Sequence, residues 1–105
     1  MYAENLVFNA LRKWKGMIQL DYYRENNQEV DFIVQVTPSK YIPIEVKYRN
    51  QWSRSDLKGI DYFRSKHKRY MGIVVTKMRE DFGVIELKTG SCFRIPLLCF
   101  LLLFD

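Results

Sequence analysis

The chain is poor in the residues that most enzymes and secreted scaffolds rely on: one histidine, two cysteines, three prolines and five glycines in 105 residues. A lone imidazole, His67, excludes zinc sites built on several histidines and removes the usual base for an activated nucleophile. It sits in Lys66-His67-Lys68-Arg69, a solvated helix end. Cys92 and Cys99 lack C-x-x-C spacing and read as reduced, partly buried thiols. No G-x-x-x-x-G-K-[ST] segment is present, which excludes P-loop nucleotide hydrolysis by this chain itself. Internal repeats, low-complexity tracts and Gly/Ser linkers are also missing. The start, MYAENLVFNALRKWKG, carries charge throughout and is no signal peptide. The strongest apolar run, Ile95 to Phe104, is interrupted by Pro96 and falls well short of the roughly 20 residues a membrane helix needs. It is expected to pack on the core as a final element, with no membrane partner and a cytoplasmic location.

What is there suits one domain over residues 1–105. Apolar residues make up 48% and aromatics 15%, enough for a core without disulfides. Lysine and arginine outnumber aspartate and glutamate by 17 to 12, a net charge of +5 that suits a polyanion. Lys47, Arg49, Arg54, Lys58, Arg64, Lys66, Lys68 and Arg69 crowd one quarter of the chain, interleaved with Tyr48, Trp52, Tyr62 and Phe63. Two readings stand: a solvated helix face, or a phosphate-tracking surface with Arg49, Arg54 and Lys58 on the backbone and Trp52 as a stacking ring.

Periodicity predicts a first helix from Tyr2 to Lys15, stopped by Gly16, with Glu4 on the same face as Val7, Phe8 and Leu11. A carboxylate on a buried stripe needs a partner, a metal or a place at the rim. Strands are expected over Met17–Arg24, Glu29–Val36 and Tyr41–Tyr48, joined by the turns Glu25-Asn26-Asn27-Gln28 and Thr37-Pro38-Ser39-Lys40. Alternation puts Val30, Phe32, Val34 and Val36 on one face of the second strand, with Asp31, Ile33 and Gln35 opposite. In the third, Ile42, Ile44, Val46 and Tyr48 oppose Pro43, Glu45 and Lys47, and Pro43 suggests an exposed edge or a strand start. Ser53 or Ser55 caps a helix to His67 with Leu57, Ile60 and Phe63 inward. Strands Tyr70–Thr76, Phe82–Lys88 and Cys92–Ile95 follow, with a turn at Thr89-Gly90. The order α-β-β-β-α-β, with additions, is α/β: a mixed central sheet flanked by helices.

Glu45 and Lys47, two apart on a strand, project from one face. Pairing through the 37–40 turn brings Asp31 beside them. Two carboxylates that close repel unless a cation lies between them. Mg²⁺ or Mn²⁺ suits such a site, and Mg²⁺ keeps several waters and accepts phosphate oxygens. Lys47 can orient or deprotonate an attacking water, or stabilise charge on phosphorus. The bland alternative is the polar face of an amphipathic hairpin.

The run through Glu4-Asn5-Leu6-Val7, Tyr22-Tyr23-Arg24, Glu29-Val30-Asp31-Phe32 and Pro43-Ile44-Glu45-Val46-Lys47 resembles the PD-(D/E)xK superfamily of restriction-endonuclease-like domains. More narrowly, and including Gly72-Ile-Val-Val-Thr76 and Ile95-Pro96-Leu97, it is similar to the uncharacterised domain at the C-terminus of prokaryotic AAA-type ATPases. The spacing of Glu4, Asp31, Glu45 and Lys47 is also similar to that of archaeal Holliday-junction resolvases. The resemblance implies a restriction-endonuclease-like αβββαβ core and a Mg²⁺-dependent DNA endonuclease site. Asp31 and Glu45 would be metal ligands with the main-chain carbonyl of Val46, Glu4 would complete the metal site through water, and Lys47 would activate the water. Arg24 would touch a phosphate. A start almost on the first helix is what a separated C-terminal domain of an ATPase would show. Three functions follow as expectations: a DNA nuclease; a non-catalytic DNA-binding or docking module of an AAA-type ATPase; and a homodimer that covers the apolar tail.

Overall fold

A computed structural model describes residues 2–67 and 70–104; Lys68 and Arg69 of the basic cluster lie outside the described residues. The elements are α1 (Tyr2–Arg12), β1 (Gln19–Glu25), β2 (Gln28–Thr37), β3 (Lys40–Lys47), a 3₁₀ turn (Arg54–Leu57), α2 (Lys58–Lys66), β4 (Gly72–Thr76), β5 (Gly83–Leu87), β6 (Gly90–Pro96) and α3 (Leu97–Phe104). The expected α-β-β-β-α-β order is present, followed by two strands and a helix. One mixed sheet runs β1-β2-β3-β4-β6-β5. β1 to β3 form an antiparallel meander, β4 lies parallel between β3 and β6, and β5 returns antiparallel on β6.

Helices cover both faces. α1 and α3 bury Val7, Leu11, Leu97 and Phe100 against Val34, Ile44, Val46 and Val75. The other face carries α2, whose Ile60 and Phe63 pack with Val30, Ile33 and Val74. Val74 and Val75, both fully buried, point to opposite layers, which is why β4 reads as an unbroken apolar run. α2 approaches β2 closely at Gly59, where a Cβ would lie 1.9 Å from the carbonyl oxygen of Glu29.

The β1–β2 turn takes two residues, Asn26 and Asn27, at φ 51° and 63°, the left-handed pair that matches hairpin twist. Further along, Asp21 faces Ile33 but Tyr23 faces Val30, so Tyr22 alone opposes Asp31 and Phe32. That bulge corrects the expected alternation. The extra residue throws Val30 onto the α2 face, while Phe32 and Val34 stay with α1 and Ile33 packs against α2.

Other boundaries shift for local reasons. α1 ends at Arg12 rather than Lys15, and residues 13–17 form turns, with Trp14 Nε1 donating to the carbonyl of Phe104 at 3.1 Å. Pro43 is buried in an interior strand, not at an edge; it stands one residue before β3 begins pairing with β4 at Ile44. Ser53, not Ser55, heads the second helical region, and Asp56 accepts its N–H at 2.8 Å. The 95–104 run divides: Pro96 ends β6, and α3 buries Leu97 and Phe100 but leaves Leu98, Leu102 and Leu103 largely exposed. Among the described residues no helix is long and apolar enough to cross a membrane.

Candidate active site

The β2–β3 ladder runs in register through Phe32 and Ile44, and the next pair would be Asp31 and Glu45. There the two strands are joined through side chains. The Asp31 N–H donates to Glu45 Oε1 at 2.9 Å, and the Val46 N–H donates to Asp31 Oδ2 at 2.8 Å. The bulge and this carboxylate clasp fall on the same residue, as bulges beside functional sites do. Lys47 Nζ then pairs with Glu45 Oε2 at 3.1 Å, with side chains 18% and 8% exposed. Glu4, in the first turn of α1, meets Asp31, Val46 and Lys47 around a cavity of about 170 Å³, closed by Tyr48 and Arg49. All four predicted acidic and basic residues therefore converge. Glu45 stands behind the cavity as the residue that holds Asp31's backbone and Lys47.

The charges there are out of balance. Burial, and then the neighbouring Glu45, push the Asp31 carboxyl up to about 6; the Val46 N–H and Lys47 pull the other way. Glu4 is raised by burial first and Asp31 second, with Lys47 opposing. Among the described residues, three carboxylates thus share the Lys47 ammonium in a partly desolvated corner, with Arg49 at its edge.

Among the described residues no three His, Cys, Asp or Glu side chains stand close enough to cage a metal ion. The donor chemistry still fits one kind of cation. Asp31 Oδ1 accepts no hydrogen bond among the described residues and Glu4 lines the same cavity, both hard oxygen donors. Mg²⁺ is commonly held by one or two carboxylates with water completing its shell, whereas Ca²⁺ asks for six to eight oxygens.

The expected nucleic-acid contacts divide among several hollows, with Arg54 common to two of them. Arg49 lines the cavity and pairs with Asp56 at 3.5 Å. Arg24 lies near the β1–β2 turn and pairs with Glu29 at 3.4 Å. Trp52 Nε1 donates to Asp81 at 3.1 Å, and Arg54 Nε donates to the carbonyl of Glu86 at 2.9 Å. Arg54 and Lys58 border a separate groove beside β5, with Lys88 across it. Arg64 leaves the basic surface altogether, being 1% exposed. Sequence reasoning missed Asp81 and Arg94, which share a pocket with Trp52 and Arg54. Only the packing of the 50–53 loop against the β5–β6 hairpin reveals them.

No curated protein and no solved structure matches this chain. The narrower resemblance drawn from the sequence is supported at the level of family, because residues 1–99 match the domain of unknown function DUF4143. With nearly its whole length matched, the chain belongs to the DUF4143 family, which is known in AAA-ATPase-associated contexts.

Proposed function

We propose that this domain is a restriction-endonuclease-like, PD-(D/E)xK deoxyribonuclease whose phosphodiester-cleaving site is Glu4, Asp31, Glu45 and Lys47. The observation that carries the reading is the Asp31–Glu45 clasp at a strand bulge, opening with Lys47 and Glu4 onto one small cavity. Asp31, through Oδ1, and the Val46 carbonyl would hold a cation there, and Glu4 would complete its shell through water. Glu45 can accept further through its remaining lone pairs. A bound Mg²⁺ or Mn²⁺ supplies charge neutralisation at a phosphoryl oxygen and a lowered pKa for coordinated water. The ammonium of Lys47, fixed by Glu45, donates to the attacking water or to a phosphate oxygen. Arg49, at the cavity mouth, steers the backbone. DNA delivery falls to an associated AAA-type ATPase.

The test is cleavage of labelled linear duplex, single-stranded, flap and four-way-junction DNA with Mg²⁺ and Mn²⁺. Cleavage of at least one substrate is expected, falling by about a hundred-fold or more in Asp31→Asn and in Lys47→Ala. Silence of the folded wild-type chain on every substrate with both metals overturns the reading.

One observation favours a second reading, a non-catalytic DNA-binding or docking module of an ATPase. Three of the four oxygens of Asp31 and Glu45 already hold backbone or Lys47. DNA binding that needs no metal and survives joint replacement of Asp31 by Asn and Glu45 by Gln would select it.

A further inference from the structure

The α1 face of the sheet is not fully covered. α1 and α3 pack on β2, β3, β4 and β6, whereas β1 buries none of its residues completely. At the C-terminal end of α1 this leaves an open groove of about 770 Å³. Phe8, Met17 and Val36 line it while remaining 42%, 73% and 43% exposed. Through Leu11, Ile18 and Val36 the groove adjoins a narrower cleft of about 190 Å³, running past Trp14 to Phe100 and Phe104. Every described residue lining that cleft is apolar. For scale, a dry cavity of about 150 Å³ holds benzene. The cleft therefore takes one aromatic or large aliphatic side chain.

Charge narrows the occupant. Arg12 and Lys15 stand in the groove wall, and among the described residues no aspartate or glutamate lines it. The Arg12 guanidinium lies 5.8 Å from the centre of the Phe8 ring, which keeps a cation at the groove mouth. A fatty-acid tail would fill the cleft but leave most of the open groove wet. A peptide segment covers both, with backbone and polar side chains turned to solvent.

We propose that this groove docks a segment of a partner protein that carries one large apolar anchor flanked by acidic residues. The anchor enters the cleft beside Trp14, and the flanking carboxylates meet Arg12 and Lys15. Anchors of this kind dominate peptide and protein interfaces. Along α1 the groove begins at Phe8, about 6 Å from Glu4 at the helical rise per residue, and it shares no described lining residue with the cavity at Glu4.

The test is selection of random dodecapeptides on the full chain, followed by titration of the selected peptides into Trp52→Phe, where Trp14 is the sole indole. Enriched peptides are expected to carry Phe, Trp or Leu beside Asp or Glu and to shift Trp14 emission saturably. Binding should weaken about ten-fold or more when Arg12 and Lys15, both exposed, are changed to Glu. Alanine at the peptide anchor should abolish it. Peptides without an acidic bias, binding that survives the charge reversal, or no enrichment would each overturn the proposal. Saturable binding of sodium dodecanoate with no peptide binding would assign the groove to an anionic amphiphile and overturn it equally.

Discussion

Two charged clusters are folded into this domain, one around Arg64 and one around Asp31, and they differ in what each has left to offer. Arg64 is buried on α2, and each nitrogen of its guanidinium has an acceptor. Nε donates to Thr89 Oγ1, Nη1 to the carbonyls of Tyr70 and Ser91, and Nη2 to the carbonyl of Gly90 and to Cys92 Sγ. Asp61 completes the set by accepting from the N–H and hydroxyl of Thr89. The Asp31 cluster also ties strands together, but among the described residues Asp31 Oδ1 has no donor, and a cavity lies beside it. A buried charge alone therefore does not mark a site. A saturated network specifies structure, and unspent bonding capacity next to a cavity points to a ligand.

Substitutions break this contrast in graded ways. The largest effect is expected at Arg64→Leu, which strands several acceptors and should cost about 3 kcal/mol or more in urea unfolding. Arg64→Lys should recover little of it, because a point charge cannot span the fork. Next comes Lys47→Met, which leaves Glu45 buried without its ammonium and should cost about 2 kcal/mol at neutral pH. Adding Glu45→Gln to that variant should restore most of the loss, the signature of an ion pair in a double-mutant cycle.

The smallest effect has the opposite sign. Unfolded, Asp31 ionises near 3.8; folded, it holds its proton up to about 6. Its contribution to stability is thus complete below the unfolded value and lost as pH rises through the folded one. Asp31→Asn should change nothing at pH 3.5 and stabilise by about 1 kcal/mol at pH 7.5, a figure discounted for partial exposure. Unfolding curves at the two pH values check the sign. Destabilisation at pH 7.5 would mean that the clasp depends on the carboxylate's charge and that Asp31 belongs with Arg64 as structure.

Local chemistry made much of this readable beforehand. The paired asparagines announce the β1–β2 turn, E-x-K spacing places Glu45 and Lys47 on one side of a strand, and helical spacing brings Glu4 to the buried side of α1. What escaped depends on partners distant in sequence. The bulge at Asp31–Phe32 is settled by how β1 pairs with β2, and no residue in Glu29-Val30-Asp31-Phe32 signals it. Arg64 looks like one more surface cation until the 89–92 turn supplies its acceptors. Pro43 suggests an edge because a proline cannot donate, yet it fits an interior strand at the point where pairing with β4 has not begun. Arg54 borders both the hollow that holds Trp52 and the groove that holds Lys58, while Arg24 pairs with Glu29 beside the β1–β2 turn, and these groupings come from chain packing that the sequence alone does not carry.

Calorimetric titration of Mn²⁺ into the wild-type chain and Asp31→Asn at pH 7.5 and 5 reads whether the Asp31 cluster has capacity for a divalent cation. One ion per chain is expected for the wild type at pH 7.5, with affinity falling at pH 5 as Asp31 takes up its proton and lost in Asp31→Asn. Equal binding by both chains, or none by the folded wild type, would contradict the account.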